Sequence, residues 1–244
     1  MEPELANEVC IYCRNLPASE EEHVFPDSWY PDTTPTSLAR LKVPSCGRCN
    51  DEWEKVERRL GQELVMAVTP GTVEVAGVVE RLNRSWQPAY ARKDKDRVHR
   101  TARLQSVART MRWAPPAPGK PQVMVRTPEG LLLRASPARL IDAPLRRLMA
   151  EKLIRGLHYA ETKTPLGDVT VHAKMLINEP VPDELGDLEV ILGGIPPNDS
   201  LGPGFSYKRF HAERMSLWAF LIWGQVLIIS FAAAPGSAPD PQPA

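Results

Sequence analysis

Four cysteines form two pairs with identical spacing, Cys10 with Cys13 and Cys46 with Cys49. A Cys-x2-Cys unit places two thiolates on one edge of a tetrahedral ion. Two such units supply four soft sulfur ligands, which suit Zn²⁺ and leave no coordination position open. The spacing therefore predicts a structural zinc site, and a closed site of this kind predicts folding rather than chemistry.

A histidine between the two cysteine pairs needs a separate explanation. His23 follows Glu22, and Asn50 comes directly after the second pair, so a zinc ion would hold the two segments side by side. The oxygen atoms of Glu22 and Asn50 are hard ligands that suit Mg²⁺ or Mn²⁺. A neutral histidine beside them could take a proton from water, as metal-assisted phosphodiester hydrolysis requires. The alternative is a surface or half-buried histidine held by one hydrogen bond.

The order of these motifs resembles the zinc-containing HNH endonucleases, the ββα-metal nucleases. The resemblance covers about residues 8–60 and rests on the two cysteine pairs, the Glu-His-Val-Phe-Pro segment at 22–26 and the Asn after the last cysteine. It implies a β-hairpin followed by a helix, with one divalent cation held between them. By position, it makes His23 the general base, Glu22 and Asn50 the ligands of a catalytic Mg²⁺ or Mn²⁺, and the four cysteines the zinc ligands.

Two positions depart from the pattern of that family. The family usually has Asp before the histidine, where this chain has Glu22. It also has a middle Asn or His that orients the base, and residues 27–45 contain neither. Asp27, Asp32 or a backbone carbonyl could take that role. The resemblance implies a metal-dependent endonuclease that cleaves DNA, with bacterial defence or mobile-element processing as the expected setting. The alternative is a catalytically silent zinc-knuckle protein that binds nucleic acid or a protein partner.

A basic segment at 81–112 is a candidate nucleic-acid contact. It holds ten Arg or Lys and two Asp, with Trp86, Tyr90 and Trp113 within or beside it. Such a segment could follow the phosphate backbone of DNA, or of RNA. An exposed basic helix and loop explains it equally well. The residues predicted to bind nucleic acid are Arg92, Lys93, Lys95, Arg97, Arg100 and Arg103.

Length and composition place few further bounds on function. The chain has 244 residues, with 30 basic and 30 acidic side chains, so global charge argues neither for nor against a nucleic-acid partner. The acidic start MEPELANEVC lacks the basic and apolar regions of a secretory signal. We therefore expect a cytoplasmic protein whose cysteines stay reduced, which favours a metal site over disulfides.

Periodicity predicts an α+β protein. Apolar residues recur at helical spacing over 51–67 and 143–160, and strand patterns occur at 72–82, 121–127, 130–136, 168–177 and 188–195. We expect a ββα-metal and zinc-knuckle module at 1–70, followed by a mixed α/β region at 71–234 that could supply substrate recognition. Residues 235–244 are expected to be disordered.

One uncharged stretch, 216–234, is long enough to span a membrane. Basic residues on its N-terminal side would suit a tail anchor. Against this, Gly224-Gln225 divides it into two short apolar runs, and the second is rich in β-branched residues. A buried β-hairpin is the favoured interpretation, with the tail anchor as a minority alternative.

Overall fold

A computed structural model describes residues 8–110, 112–114, 123–126, 130–138, 142–177, 186–213 and 215–235. The described residues form a mixed α and β structure, which confirms the predicted α+β class. In chain order the elements are β1 Glu20–His23, β2 Lys42–Ser45, α1 Gly47–Leu64, α2 Val78–Trp86, α3 Asp94–Thr110, β3 Arg112–Ala114, β4 Val123–Arg126, β5 Leu132–Ala138, α4 Ala143–Thr162, β6 Thr170–Ile177, α5 Gly186–Gly193, β7 Phe205–Ala212, β8 Met215–Ile222 and β9 Val226–Ala233.

The chain divides into two compact units. One comprises 1–79 together with 143–244, and the other comprises 80–142. The sequence-based boundary near residue 70 therefore lies inside the first unit, which also takes in α4 and the C-terminal strands. The second unit contains α3 and a three-stranded sheet of order β3-β5-β4.

The first unit begins with two antiparallel strands and a helix. β1 pairs with β2 so that Glu20 lies opposite Ser45 and His23 opposite Lys42. Helix α1 starts at Gly47, four residues earlier than the pattern at 51–67 indicates. The reason is that the second cysteine pair is part of the first helical turn, where the Asn50 N–H donates to the Cys46 carbonyl at 3.0 Å.

Helix α4 forms the centre of the core of this unit. It packs against α1, β2 and β6, and its fully buried side chains include Met149, Leu153 and Ile154. Gly156 permits a close approach, because a Cβ there would lie 2.8 Å from the Val24 side chain. Helix α4 is thereby fixed directly behind the end of β1.

The C-terminal stretch at 216–234 forms a hairpin in a four-stranded sheet of order β6-β9-β8-β7, as favoured by the sequence. The β8–β9 turn has positive φ at Trp223 and Gly224, the backbone conformation of tight hairpin turns. The Trp223 indole N–H donates to the Trp29 carbonyl at 2.8 Å and joins this turn to the N-terminal segment. Among the described residues no helix is long and apolar enough to cross a membrane. Residues 236–244 of the predicted disordered tail lie outside the described residues.

Two predicted strands are wrong. The segment 72–82 forms a short 3-10 turn at Val73–Val75 and the start of α2, with Val75, Val78 and Leu82 buried at helical steps of three and four. The segment 188–195 lies largely in α5, where Leu192 packs on the four-stranded sheet. Short apolar runs do not distinguish a strand from a buried helix, because burial alone explains their composition.

Candidate metal centre and base

The four cysteines lie together. Their Sγ atoms are all within 4.8 Å of one another, and Cys10, Cys46 and Cys49 are buried. The Cys13 and Cys46 Sγ atoms are 3.9 Å apart, close to the edge of about 3.8 Å that a tetrahedron with metal–sulfur bonds of about 2.3 Å requires. A disulfide would bring the sulfurs to about 2.05 Å, and all four thiols are free. The cluster can therefore hold a structural metal ion such as zinc.

The electrostatics of the cluster also call for a cation. Burial raises the pKa of the Cys49 thiol, and the neighbouring Cys46 and Cys10 raise it further. At Cys13 burial acts in the same direction, but backbone N–H groups of Asn15 and Leu16 outweigh it and lower the pKa to about 7. Four thiols cannot ionise side by side without a counter-ion, so a bound cation would stabilise the thiolate form of the whole set.

Local backbone bonds bring the first cysteine pair to the second. The Arg14 N–H donates to the Cys10 carbonyl at 2.8 Å, and Arg14 has a positive φ of 57°, as in a tight turn. The Ile11 N–H then donates to the Pro44 carbonyl at 3.2 Å, which joins this turn to β2. The metal cluster is thus built on the same hairpin that carries His23.

Side chains along β1 alternate between its two faces. Glu20 and Glu22 lie on one face, and Glu21 and His23 lie on the other. The structure therefore directs the predicted base and the predicted cation ligand beside it to opposite faces of the strand. This separation follows from strand geometry, since neighbouring residues in an extended strand cannot share a face.

Glu22 is bound to a buried lysine. Its Oε1 atom accepts a hydrogen bond from the Lys152 Nζ at 2.6 Å, and the Glu22 residue is only 8% exposed. Lys152 also donates to Glu57 and, at 2.6 Å, to the carbonyl oxygen of His23. Lys152 is fully buried, so β1, α1 and α4 meet at one ammonium group.

Asn50 has a different partner. Its Nδ2 atom donates to Glu20, whereas Glu22 contacts Lys152. The two predicted cation ligands, Glu22 and Asn50, are thus each engaged by another side chain. Glu20 is held close to the start of α1, where a Cβ on Gly47 would lie 3.2 Å from the Glu20 Oε1.

His23 lies beside an aspartate. Its Nε2 atom is 3.7 Å from Asp27 Oδ1, and Arg40 forms an ion pair with the same carboxylate. Burial lowers the pKa of His23, although Asp27 acts in the opposite direction. Burial thus favours the neutral imidazole, which is the form that can accept a proton. Of the residues that could orient the base, Asp27 is the one beside it; the backbone N–H of Asp32 instead donates to Ala76.

The candidate nucleic-acid residues lie in the second unit. Arg92, Lys93 and Lys95 are exposed. Arg97 pairs with Asp94 at 3.3 Å, while Arg100 pairs with Asp96 at 2.9 Å and donates to the Arg84 carbonyl at 2.5 Å. Arg103 belongs to α3, of which only the backbone is described at that position. Arg100 therefore joins α3 to α2, and the exposed cations are those before and at the start of α3.

Sequence reasoning missed two residues of the site. Glu57 lies one helical turn from Glu54 on α1, but its side chain is only 15% exposed and pairs with Lys152, whereas Glu54 is exposed and pairs with Arg58. Lys152 was not singled out. Its signal was present, because Leu145, Met149 and Lys152 follow one another at helical steps of four and three on the apolar stripe of α4.

Comparisons with protein-family models, with curated proteins and with solved structures find no match to this chain. Its functional class has to be read from the side chains of the site. The useful features are the cysteine cluster, the neutral His23 beside Asp27, and the carboxylates around Lys152.

Proposed function

We propose that this protein is a metal-dependent endonuclease of the HNH type that hydrolyses DNA phosphodiester bonds. The observation that supports it is the order β1, β2, α1 built around the cysteine cluster, with His23 on the strand and Asn50 in the first helical turn. In this account Cys10, Cys13, Cys46 and Cys49 hold a structural zinc ion. The zinc fixes the two walls of the reactive site relative to one another.

His23 is the general base of the proposed reaction. A neutral imidazole accepts a proton from the attacking water, and the Asp27 carboxylate stabilises the imidazolium that results. The His23 Nε2 and Asp27 Oδ1 atoms are 3.7 Å apart, which is too long for a hydrogen bond. The proposed reaction therefore requires these two side chains to move closer together when substrate binds.

The proposed ligands of the catalytic Mg²⁺ or Mn²⁺ are Glu22 and Asn50. Their oxygen atoms are of the type that these ions prefer. A bound divalent ion supplies charge stabilisation for the phosphate in the transition state. For both residues to serve, Glu22 must separate from Lys152 and Asn50 must turn away from Glu20. The Glu22 carboxylate must also reach the substrate from the face of β1 opposite to His23.

Exposed cations in the second unit suit a DNA backbone. The exposed residues Arg92, Lys93 and Lys95 offer positive charge at the surface. Contacts of this kind bind phosphates without reading sequence, and they weaken as salt increases.

The test is cleavage of plasmid DNA by zinc-loaded protein in Mg²⁺ or Mn²⁺. We expect wild type to cleave and His23→Ala to lose at least about a hundredfold in rate, the usual contribution of a general base. His172→Ala is the matched control, because His172 is an exposed histidine on β6. Equal zinc content in all three proteins shows that the fold is retained. Undiminished cleavage by His23→Ala would contradict the proposed base.

The second candidate function is a catalytically silent zinc-knuckle protein that binds nucleic acid or a protein partner. The observation that favours it is the Lys152 ammonium, which already neutralises Glu22. Under this alternative, wild type cleaves neither DNA nor RNA but binds them, with an affinity that falls steeply with salt. The cleavage assay and a binding assay on the same preparations separate the two functions.

A further inference from the structure

The ammonium of Lys152 occupies a site made entirely of oxygen atoms. Its three acceptors are carboxylate oxygens of Glu22 and Glu57 and the carbonyl oxygen of His23, from β1 and α1. An ammonium has three N–H donors, so each is satisfied. Two carboxylates and a carbonyl are also the ligand type that Mg²⁺ and Mn²⁺ select.

The site carries more negative charge than the lysine neutralises. Glu22 and Glu57 are both largely buried, with side chains 11% and 15% exposed, and they share one ammonium. Buried charges are stable only when they are compensated, so a divalent ion would balance the two carboxylates more fully than the single charge of Lys152 does.

A buried tyrosine gives an independent indication that a polar partner is missing from this region. The Tyr12 hydroxyl is buried and has no hydrogen-bond partner among the described residues. Tyr12 lies within electrostatic reach of Glu22 and Glu57, and also of Cys10 and Cys49. Buried hydroxyls in folded proteins are normally paired, so an unpaired one within electrostatic reach of both carboxylates indicates a polar partner that the described residues do not supply.

We propose that Lys152 is a tethered cation that fills the Glu22–Glu57 site, so that a divalent ion binds Glu22 only by displacing the Lys152 ammonium. This inference rests on the proposed role of Glu22 as a cation ligand, but its test measures ion binding and not cleavage. The competition joins ion binding to helix α4, because the lysine that leaves the site belongs to that helix. A divalent ion bound to Glu22 and the Lys152 ammonium in its present position exclude each other. The ion therefore weakens the binding of the ammonium in the site, and the ammonium weakens the binding of the ion by the same factor.

The first experiment titrates Mn²⁺ into the zinc-loaded full-length protein by calorimetry. Lys152→Met removes the competing charge and keeps the apolar stem, so we expect it to bind Mn²⁺ at least about tenfold more tightly than wild type. Adding Glu57→Gln to Lys152→Met should reverse the gain. Lys55→Met and Glu54→Gln are matched controls on exposed positions of α1 and should resemble wild type.

The second experiment follows Lys152 itself in wild type. Acetylation by an amine-reactive reagent, read by mass spectrometry, should be slow at buried Lys152 and fast at exposed Lys55. If wild type binds Mn²⁺ through Glu22, labelling of Lys152 should increase with Mn²⁺ while labelling of Lys55 stays constant. Binding that is lost in Glu22→Gln but leaves Lys152 protected would overturn the proposal.

The remaining outcomes depend on whether the Lys152→Met variant folds. A folded variant with no gain in Mn²⁺ affinity overturns the proposal. A variant that is unfolded without Mn²⁺ should fold when Mn²⁺ is added, as followed by circular dichroism, and a failure to fold counts against it. The two proposals can fail separately. If wild type does not cleave DNA but Lys152→Met binds Mn²⁺ more tightly, the nuclease function is rejected and the competition between Lys152 and the ion is retained.

Discussion

Two clusters of like-charged ligands lie within the β1-β2-α1 segment, and they are balanced in different ways. The cysteine cluster brings four sulfur atoms within 4.8 Å of one another. The carboxylate pair Glu22 and Glu57 has its own cation, Lys152, supplied by α4. Tyr12 lies within electrostatic reach of both. The first cluster can therefore take up an external ion, whereas the second already contains one cation of the chain for its two carboxylates.

Removal of metal from the cysteine cluster should have the largest effect. Without a cation the thiolates repel one another, and the turn that carries Cys10 loses its connection to the start of α1. We expect a chelator, or Cys46→Ser, to destabilise the first unit by several kcal/mol, because the free energy of metal binding is folding free energy in such sites. Thermal melting followed by circular dichroism measures the loss, and added Zn²⁺ should restore only the wild-type protein. An unchanged melting temperature after complete zinc removal would show that the cluster is not structural.

Removal of the internal cation should rank second. Lys152→Ala leaves two buried carboxylates without compensation, and we expect it to lower the free energy of unfolding by about 3–5 kcal/mol. Chemical denaturation measures the change. Lys55→Ala, at an exposed position of α1, should stay within about 0.5 kcal/mol of wild type. Equal effects of the two substitutions would mean that Lys152 does not stabilise the carboxylate pair.

The pH dependence of stability should reveal the excess negative charge of the pair. Burial raises the pKa of Glu57 to about 7 against an ordinary value of 4.5, and Lys152 opposes the shift. The folded state therefore binds more protons than the unfolded state between these values, so the stabilising contribution of protonated Glu57 falls as pH rises from 4.5 to 7. We expect Glu57→Gln to remove a decline of roughly 2 kcal/mol across that window. Denaturation curves at a series of pH values measure it, with Glu54→Gln as the control that should keep the wild-type decline.

The exposed contact between Asn50 and Glu20 should matter least for stability. A hydrogen bond on the surface exchanges for one to water, so Asn50→Ala should cost about 0.5–1 kcal/mol. Glu20→Gln should cost no more than this, since the amide oxygen can still accept from Asn50. A cost above about 2 kcal/mol for either substitution, measured by denaturation, would place Asn50 among the structural contacts of the cysteine cluster.

The two clusters differ in how far sequence could predict them. The cysteine site depends on two local spacings of three residues each, so its composition was visible before its geometry. The Lys152 site joins residues 22, 57 and 152, and no local spacing relates them. Only the charged residue within the apolar stripe of α4 indicated it, because a lysine there must find buried partners.

In the fold, too, locally specified elements could be predicted from the sequence and contacts between distant segments could not. Helices α1 and α4 and the β8–β9 hairpin were predictable, because long periodic segments and a glycine turn specify them locally. The segment 188–195 was predicted as a strand but lies largely in α5, because a short apolar run is compatible with either element. Strand geometry predicts which face of β1 each residue occupies. It does not predict that Lys152 of α4 contacts Glu22, because α4 belongs to a distant part of the chain.

The most direct test of this account is a crystal structure of zinc-loaded Lys152→Met grown with Mn²⁺, with anomalous maps at the zinc and manganese edges. We expect zinc among Cys10, Cys13, Cys46 and Cys49, and manganese at Glu22 and Glu57 beside the His23 carbonyl. Zinc in place with no manganese bound to Glu22 or Glu57 would contradict the claim that Lys152 stands where a divalent cation binds.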